Sequence, residues 1–321
     1  MFCYTTIMSK NFNLLSLNMP ADLHPRSWVC IKGCTTKKII RELKNDALLE
    51  KNCSREKLNR NIANALHCSV STIRQILEIK REFYPIPVIL ELLKFTNNKQ
   101  KFLQEFKKID SLKINSASAN PVKATYIVNE NLAKILGAFM ADGSLSAQHI
   151  IASSKSKNLK IIKEKLKKIG IHYSQGKAPS RRQYYISIQL NKNNLQNFNQ
   201  LLRQSKFLNQ SHYNIELTDE YKDNVKAFIR WIQKEFKINP TSIRKRGNAW
   251  RVTFSNKILA RYLMRFFDVT PGSKTFDAFE PVSIKKSSLK IRQAFSQGVL
   301  MFDGCGSIEK KKCYLAQKVN V

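Results

Sequence analysis

Two aspartates stand out by the residues around them. Asp142 closes the segment Ile135-Leu136-Gly137-Ala138-Phe139-Met140-Ala141-Asp142-Gly143, and Asp303 closes Ser296-Gln297-Gly298-Val299-Leu300-Met301-Phe302-Asp303-Gly304. In each, a glycine stands five residues before an Asp-Gly pair that ends an apolar run. Gly143 and Gly304 suit the left-handed C-terminal cap of a helix. Asp142 and Asp303 then fall at helix C-termini, the negative end of the macrodipole, where a carboxylate alone is unfavourable. A divalent cation resolves that conflict. If the helices run parallel, both carboxylates meet at one point and can share Mg²⁺, or Mn²⁺ in its place. Gly137, Ala141 and Gly298 are small enough to let the helices approach closely. A single copy would read as core packing with a solvated Asp; two copies in one register point to function.

The elements that must hold these residues alternate helix and strand. From about Lys123 an apolar helix, Leu132–Ala141, precedes two similar blocks. The first is strand 149–153, helix 159–169, strands 171–175 and 184–190, and helix 194–202. The second repeats this order with strand 213–217, helix 224–236, strands 241–246 and 249–255, and helix 257–267, at a period of about 65 residues.

Upstream the pattern is helical. Residues 1–35 show no periodicity and read as a poorly ordered lead-in without the features of a signal peptide. Residues 36–96 form helices, and 97–122 a further helical segment ending in the small-residue stretch Ile114–Pro121, which reads as a linker. Within 58–77 the pattern resembles a helix-turn-helix. Ala63 stands where two helices cross, Ile73 and Leu77 fill their shared core, Ser69 caps the second helix, and His67 takes the turn position usually held by Gly. Ser71, Thr72, Arg74, Gln75 and Glu78 would face outward, the first four as groove readers.

Charge narrows the partner. The 321 residues hold 56 Lys+Arg against 23 Asp+Glu, a formal net charge of +33. Such a charge calls for a polyanion. The 43% hydrophobic fraction excludes wholesale disorder. No apolar run reaches the ~18–20 residues of a spanning helix, and the basic residues do not line one amphipathic face as a membrane anchor requires. Nucleic acid is the better match; the blander reading is a basic packing protein with no chemistry of its own. The seven cysteines are odd in number and fit no disulfide framework, so reduced thiols and an intracellular, cytoplasmic location (nucleoid- or organelle-associated) are expected.

The paired Asp-Gly segments resemble the signature of the LAGLIDADG (DOD-type) homing endonucleases, over about residues 123–315. The resemblance implies an α+β chain: an N-terminal all-helical helix-turn-helix domain (36–96), then an αββαββα-type half over 123–294. An extra β-α-β-β-α block is inserted at about 146–210, and 295–321 carry the second motif and the start of a truncated second half. It implies Mg²⁺-dependent cleavage of duplex DNA, with Asp142 and Asp303 as catalytic metal ligands and their helices forming the interface between halves. Lys274, in Pro271-Gly272-Ser273-Lys274-Thr275, matches a lysine of the family that activates water or steadies the phosphate. The chain departs from the signature at Met140 and Met301, where an acid usually stands. It departs again at Phe302, where a small residue usually lets the helices touch, so looser packing of the second helix is expected. Val321 comes 18 residues after Asp303, which leaves room for a hairpin at most; a second copy of the chain could supply the missing surface.

In that family a sheet saddles the DNA. Alternation places Tyr184, Ile186, Ile188, Leu190, Trp250, Val252 and Phe254 inward. Tyr185, Ser187, Gln189, Arg251, Thr253 and Ser255 face outward. Arg244 and Arg246 share a face before the Gly247-Asn248 turn, and Arg181 and Arg182 flank the other hairpin. Arg to guanine, Gln to adenine and Lys to phosphate are the natural pairings. A DNA-binding regulator, a maturase acting on intron RNA, and an inactive truncated copy remain alternatives.

Overall fold

The apolar spacing that begins at Ile39 is realised as α1 (Thr36–Glu50), which buries Ile39, Ile40, Leu43 and Ala47. The computed structural model describes residues 13–17, 25–78, 81–106, 109–115, 119–153, 156–178, 183–191, 194, 198, 208–272 and 280–303. Ser54 accepts a hydrogen bond from the Lys57 N–H and so starts α2 (Arg55–Ala65). There follow α3 (Val70–Glu78), α4 (Ile86–Leu92) and α5 (Lys99–Glu105).

The N-terminal region is not all-helical. Strands β1 (Val29–Lys32), β2 (Tyr84–Pro85), β3 (Ser111–Ile114) and β4 (Val122–Lys123) form an antiparallel sheet in the order β2-β1-β3-β4. Part of the expected lead-in is therefore structural: Leu14, Leu17, Trp28, Val29 and Ile31 are buried. The expected linker, Ile114–Pro121, falls between β3 and β4, and Ser111 and Leu112 of β3 pair with Lys123 and Val122 of β4. Residues 116–118 of that stretch lie outside the described residues, but the strands on either side of it are held together as a pair.

The second region runs α6 (Glu130–Asp142), β5 (Gly143–Ser153), α7 (Ser156–Lys168), β6 (Ser174–Ala178), β7 (Gln183–Leu190), β8 (Leu208–Asp219), α8 (Lys222–Phe236), β9 (Ser242–Arg246), β10 (Ala249–Phe254), α9 (Lys257–Phe266), α10 (Val282–Lys285) and α11 (Leu289–Asp303). Its six strands are antiparallel in the order β6-β7-β5-β8-β10-β9. The β5–β8 pair is central, and the strands repeat outward from it in matched order: β7 then β6 on one side, β10 then β9 on the other. Each half of the sheet is built in β-α-β-β order, β5-α7-β6-β7 and β8-α8-β9-β10. Most of the first block's closing helix, 194–202, lies outside the described residues.

Register makes one face of this sheet apolar. Leu145 opposes Ile215, Leu217 opposes Val252, and Ile151 opposes Ile186; all six are buried. The helices cover this face. Asn129 caps α6 through the Leu132 N–H, and its side-chain amide donates to buried Glu235 of α8. Among the described residues no helix is long and apolar enough to cross a membrane.

Candidate nucleic-acid interface and paired aspartates

Helices α6 and α11 lie side by side in the most extensive contact between any two elements among the described residues. Their glycines explain how. A Cβ on Gly137 would sit 2.1 Å from the Phe295 carbonyl oxygen and 2.8 Å from the Val299 nitrogen. A Cβ on Gly298 would sit 2.3 Å from the Lys134 carbonyl oxygen and 3.0 Å from the Ala138 nitrogen. Each glycine thus meets the residues three before and one after its counterpart, a twofold exchange of backbone contacts. The helices run parallel, because their first turns also meet: Lys290 Nζ is 2.7 Å from Glu130 Oε1. In register and parallel, Asp142 and Asp303 leave the pair at the same end, each ~7.5 Å along its axis beyond the crossing glycine. Both residues are exposed.

Ala141, expected at the same contact, is half-buried. Its counterpart Phe302 does not hold the helices apart. Its ring packs edge-on against Phe228 and Trp231 of α8, centroids 6.2 and 6.3 Å away. The expected left-handed cap at Gly143 is absent. Gly143 has φ −81° and ψ 157°, and the chain passes straight from α6 into β5. Glycine is required there because a Cβ would meet the Phe139 Cα at 2.7 Å. Gly304 lies outside the described residues, as do Lys274, Arg181 and Arg182. Gly272, two residues before Lys274, donates its N–H to the Leu145 carbonyl at 2.9 Å, close in sequence to Asp142.

Sequence reasoning missed the anchor of the second helix end. Asn224 Nδ2 donates to the Met301 carbonyl at 2.9 Å and to Asp219 Oδ2 at 3.1 Å. Asp219 Oδ1 also accepts from the Tyr221 N–H. These bonds satisfy an orphan carbonyl of α11 and tie its end to the β8–α8 corner. An Asp closing a strand just ahead of a helix was the available signal. At the same corner, the hydrogen bond from Lys226 holds the exposed Asp223 carboxyl below its ordinary range.

Several of the residues expected to face outward lie on the sheet face away from the helices. Cross-strand register aligns Arg244 with Arg251, Arg251 with Thr218, Glu216 with Ser144, Gln148 with Gln189, and Ala152 with Tyr185. Arg244, Arg246 and Gln189 are exposed and Tyr185 half-buried. The β9–β10 hairpin turns at Gly247, whose φ of +60° suits glycine. Arg251 is partly engaged within the protein, its Nη1 3.5 Å from Glu216 Oε2. Two strand expectations change. Ser187 is buried and accepts from Gln148 Nε2 at 2.6 Å. Tyr184, near the start of β7, is 37% exposed, with Lys177 over its ring. Gln148 and His212 belong to this face too. They escaped notice because the expected strands, 149–153 and 213–217, each begin one residue later; β5 and β8 start earlier, β5 with Gly and Ala among its first residues, poor strand formers.

The helix-turn-helix reading has matching geometry. α2 packs on α3 across buried Ala63, Ile62 and Ile73. His67 occupies the turn with φ +51°, and Ser69 Oγ accepts from the Thr72 N–H at 3.1 Å. Ile76, with Ile73, fills the α3 core, while Leu77 is half-buried. Ser71, Arg74 and Gln75 are exposed and Thr72 is half-buried. Compared with models of known protein families and with curated proteins, the chain finds no match.

Proposed function

We propose that this chain is a site-specific DNA endonuclease of the LAGLIDADG homing type, hydrolysing phosphodiester bonds of duplex DNA with Mg²⁺. The observation that carries the reading is the parallel packing of α6 and α11 on Gly137 and Gly298, which brings two carboxylates to one end. Two features support it. Read as the family's αββαββα unit, the order is α6-β5-β8-α8-β9-β10-α9 with α7, β6 and β7 inserted between β5 and β8; the insertion expected at about 146–210 then gives up β5 to the unit. Arginine and glutamine side chains share the helix-free face of its sheet.

Asp142 and Asp303 are the residues that would hold Mg²⁺. Mg²⁺ favours a small number of carboxylates completed by phosphate oxygens and water, and two exposed carboxylates at adjoining helix ends fit that set. Among the described residues no group of three or more His, Cys, Asp or Glu gathers to hold a metal, so the two aspartates would depend on phosphate oxygens and water for the remaining ligands. When bound, the ion would supply Lewis-acid stabilisation and a water of lowered pKa. The chain's own part is positional. The glycine contact fixes the spacing of the carboxylates, Asn224 fixes the end of α11, Arg244 and Arg246 engage phosphate or guanine, and Gln148 and Gln189 reach base edges. Lys274 is assigned, on the resemblance, to steadying the attacked phosphate.

The test is cleavage of plasmid pools bearing randomised inserts, with Mg²⁺, by the parent chain, Asp142→Asn and Asp303→Asn. The parent should cut a subset of inserts, and each variant should lose at least about a hundredfold in rate while still binding DNA. Unchanged cutting by both variants would remove the assignment. Tight, sequence-specific binding without cutting in any divalent cation would favour the regulator, and preference for a structured intron RNA the maturase.

A further inference from the structure

The junction between the helix-turn-helix region and the six-stranded region is not a tether. β4 leads directly into Thr125 and Tyr126, and both are fastened. The Thr125 N–H donates to the Tyr262 hydroxyl at 2.9 Å, and that hydroxyl donates to the Thr125 carbonyl at 3.1 Å. Thr125 Oγ1 donates to Glu235 at 3.0 Å. The Tyr126 hydroxyl accepts from the Ile109 N–H and donates to the Ile109 carbonyl at 2.6 Å. Burial pushes that phenol up to about 12, so it keeps the proton it donates. Arg261, fully buried on α9, donates to the Leu17 carbonyl at 3.2 Å. α9 also packs on β3 and on the turn Leu14–Leu17. The buried apolar cluster passes unbroken from one region to the other.

We infer that the DNA partner carries two separate subsites at one fixed spacing and helical phase. One is met by α3 through Ser71, Thr72, Arg74 and Gln75, the other by the helix-free face of the six-stranded sheet. The inference rests on the DNA reading above and adds the geometry of the target. B-DNA advances ~34 Å over each turn of ~10–10.5 base pairs. Five added base pairs turn the second subsite to the opposite face. Ten restore the face but move it a full turn away. A reader on a flexible tether follows the second change; a rigid reader follows neither.

The experiment is selection of bound sequences from a randomised duplex pool by the full chain. The Arg74→Ala/Gln75→Ala and Arg244→Ala/Arg246→Ala double variants are run beside it. All four positions are exposed, so both variants should fold. The expected result is two sequence blocks at a single separation, the first variant erasing one block and the second erasing the other. Inserting five or ten base pairs between the blocks should each weaken binding about tenfold or more. Blocks at several separations, recovery at ten base pairs, or a single block sensitive to both variants would overturn the fixed two-site geometry while leaving DNA recognition standing. Enrichment of no sequence at all would overturn the DNA reading itself, and this inference with it.

Discussion

Gly298→Ala should destabilise the protein by about 1–3 kcal/mol, the cost of overpacking a filled contact. The direction is informative, because in an ordinary helix interior the same change stabilises by about 1 kcal/mol through helix propensity. Here the new methyl would lie 2.3 Å from the Lys134 carbonyl oxygen. That atom is backbone, so no side chain can swing aside and the helices must part. Gly137→Ala meets the Phe295 carbonyl oxygen at 2.1 Å and should act alike. The two substitutions act on one contact, so the double variant should cost less than the sum of the singles. Parting the helices also separates Asp142 from Asp303, so cleavage should fall further than DNA affinity. Urea unfolding midpoints of the four proteins, with cleavage and binding measured alongside, check this. A raised midpoint for Gly298→Ala would mean the helices do not meet at that residue.

DNA binding should collapse as salt rises. With a formal charge of +33, engagement of about 6–10 phosphates would lower affinity some 10³–10⁵-fold between about 50 and 200 mM salt. Replacing Arg244, Lys245 and Arg246 together by alanine should flatten the log–log slope by roughly 0.9 for each phosphate left without its cation. All three are exposed, so the fold should tolerate the change. Arg251→Ala is a different experiment. Its partner Glu216 stays behind on the same face, and an unpaired carboxylate beside the DNA backbone should weaken binding by more than the removal of a single cation would. Titration of labelled duplex across a salt series separates the two, and a flat salt response would exclude phosphate neutralisation as the source of affinity.

Sequence reading succeeded where the physics is local. The Gly137 and Gly298 motifs, the His67 turn, the Ser69 cap and the alternation of Ile186, Ile188, Val252 and Phe254 each follow from neighbours a few residues apart. The N-terminal sheet was not legible. Val29–Lys32 is short, and its partners Tyr84–Pro85 and Ser111–Ile114 lie more than fifty residues away. No periodicity links them. The Gly143 cap failed for a related reason. Asp-Gly after an apolar helix is a stop signal, but the next eleven residues, Gly143–Ser153, form a strand whose pairing with β8 fixes the backbone as extended. The extent of the helix contact was beyond sequence too. Phe302 looked obstructive only while the pocket beside Phe228 and Trp231 was unknown.

Among the described residues, the matched order of the six strands leaves β9 at one margin of the sheet, paired with β10 alone. An open margin is a template for another chain's strand. Ser-Ile-Arg-Lys-Arg, the whole of β9, carries three positive side chains there, and two such margins repel each other. The residues proposed to seize DNA would therefore also hold copies of the protein apart. The alanine variant that loosens the grip on DNA is the same one that should begin to self-associate, and bound DNA would shield the margin in the parent chain.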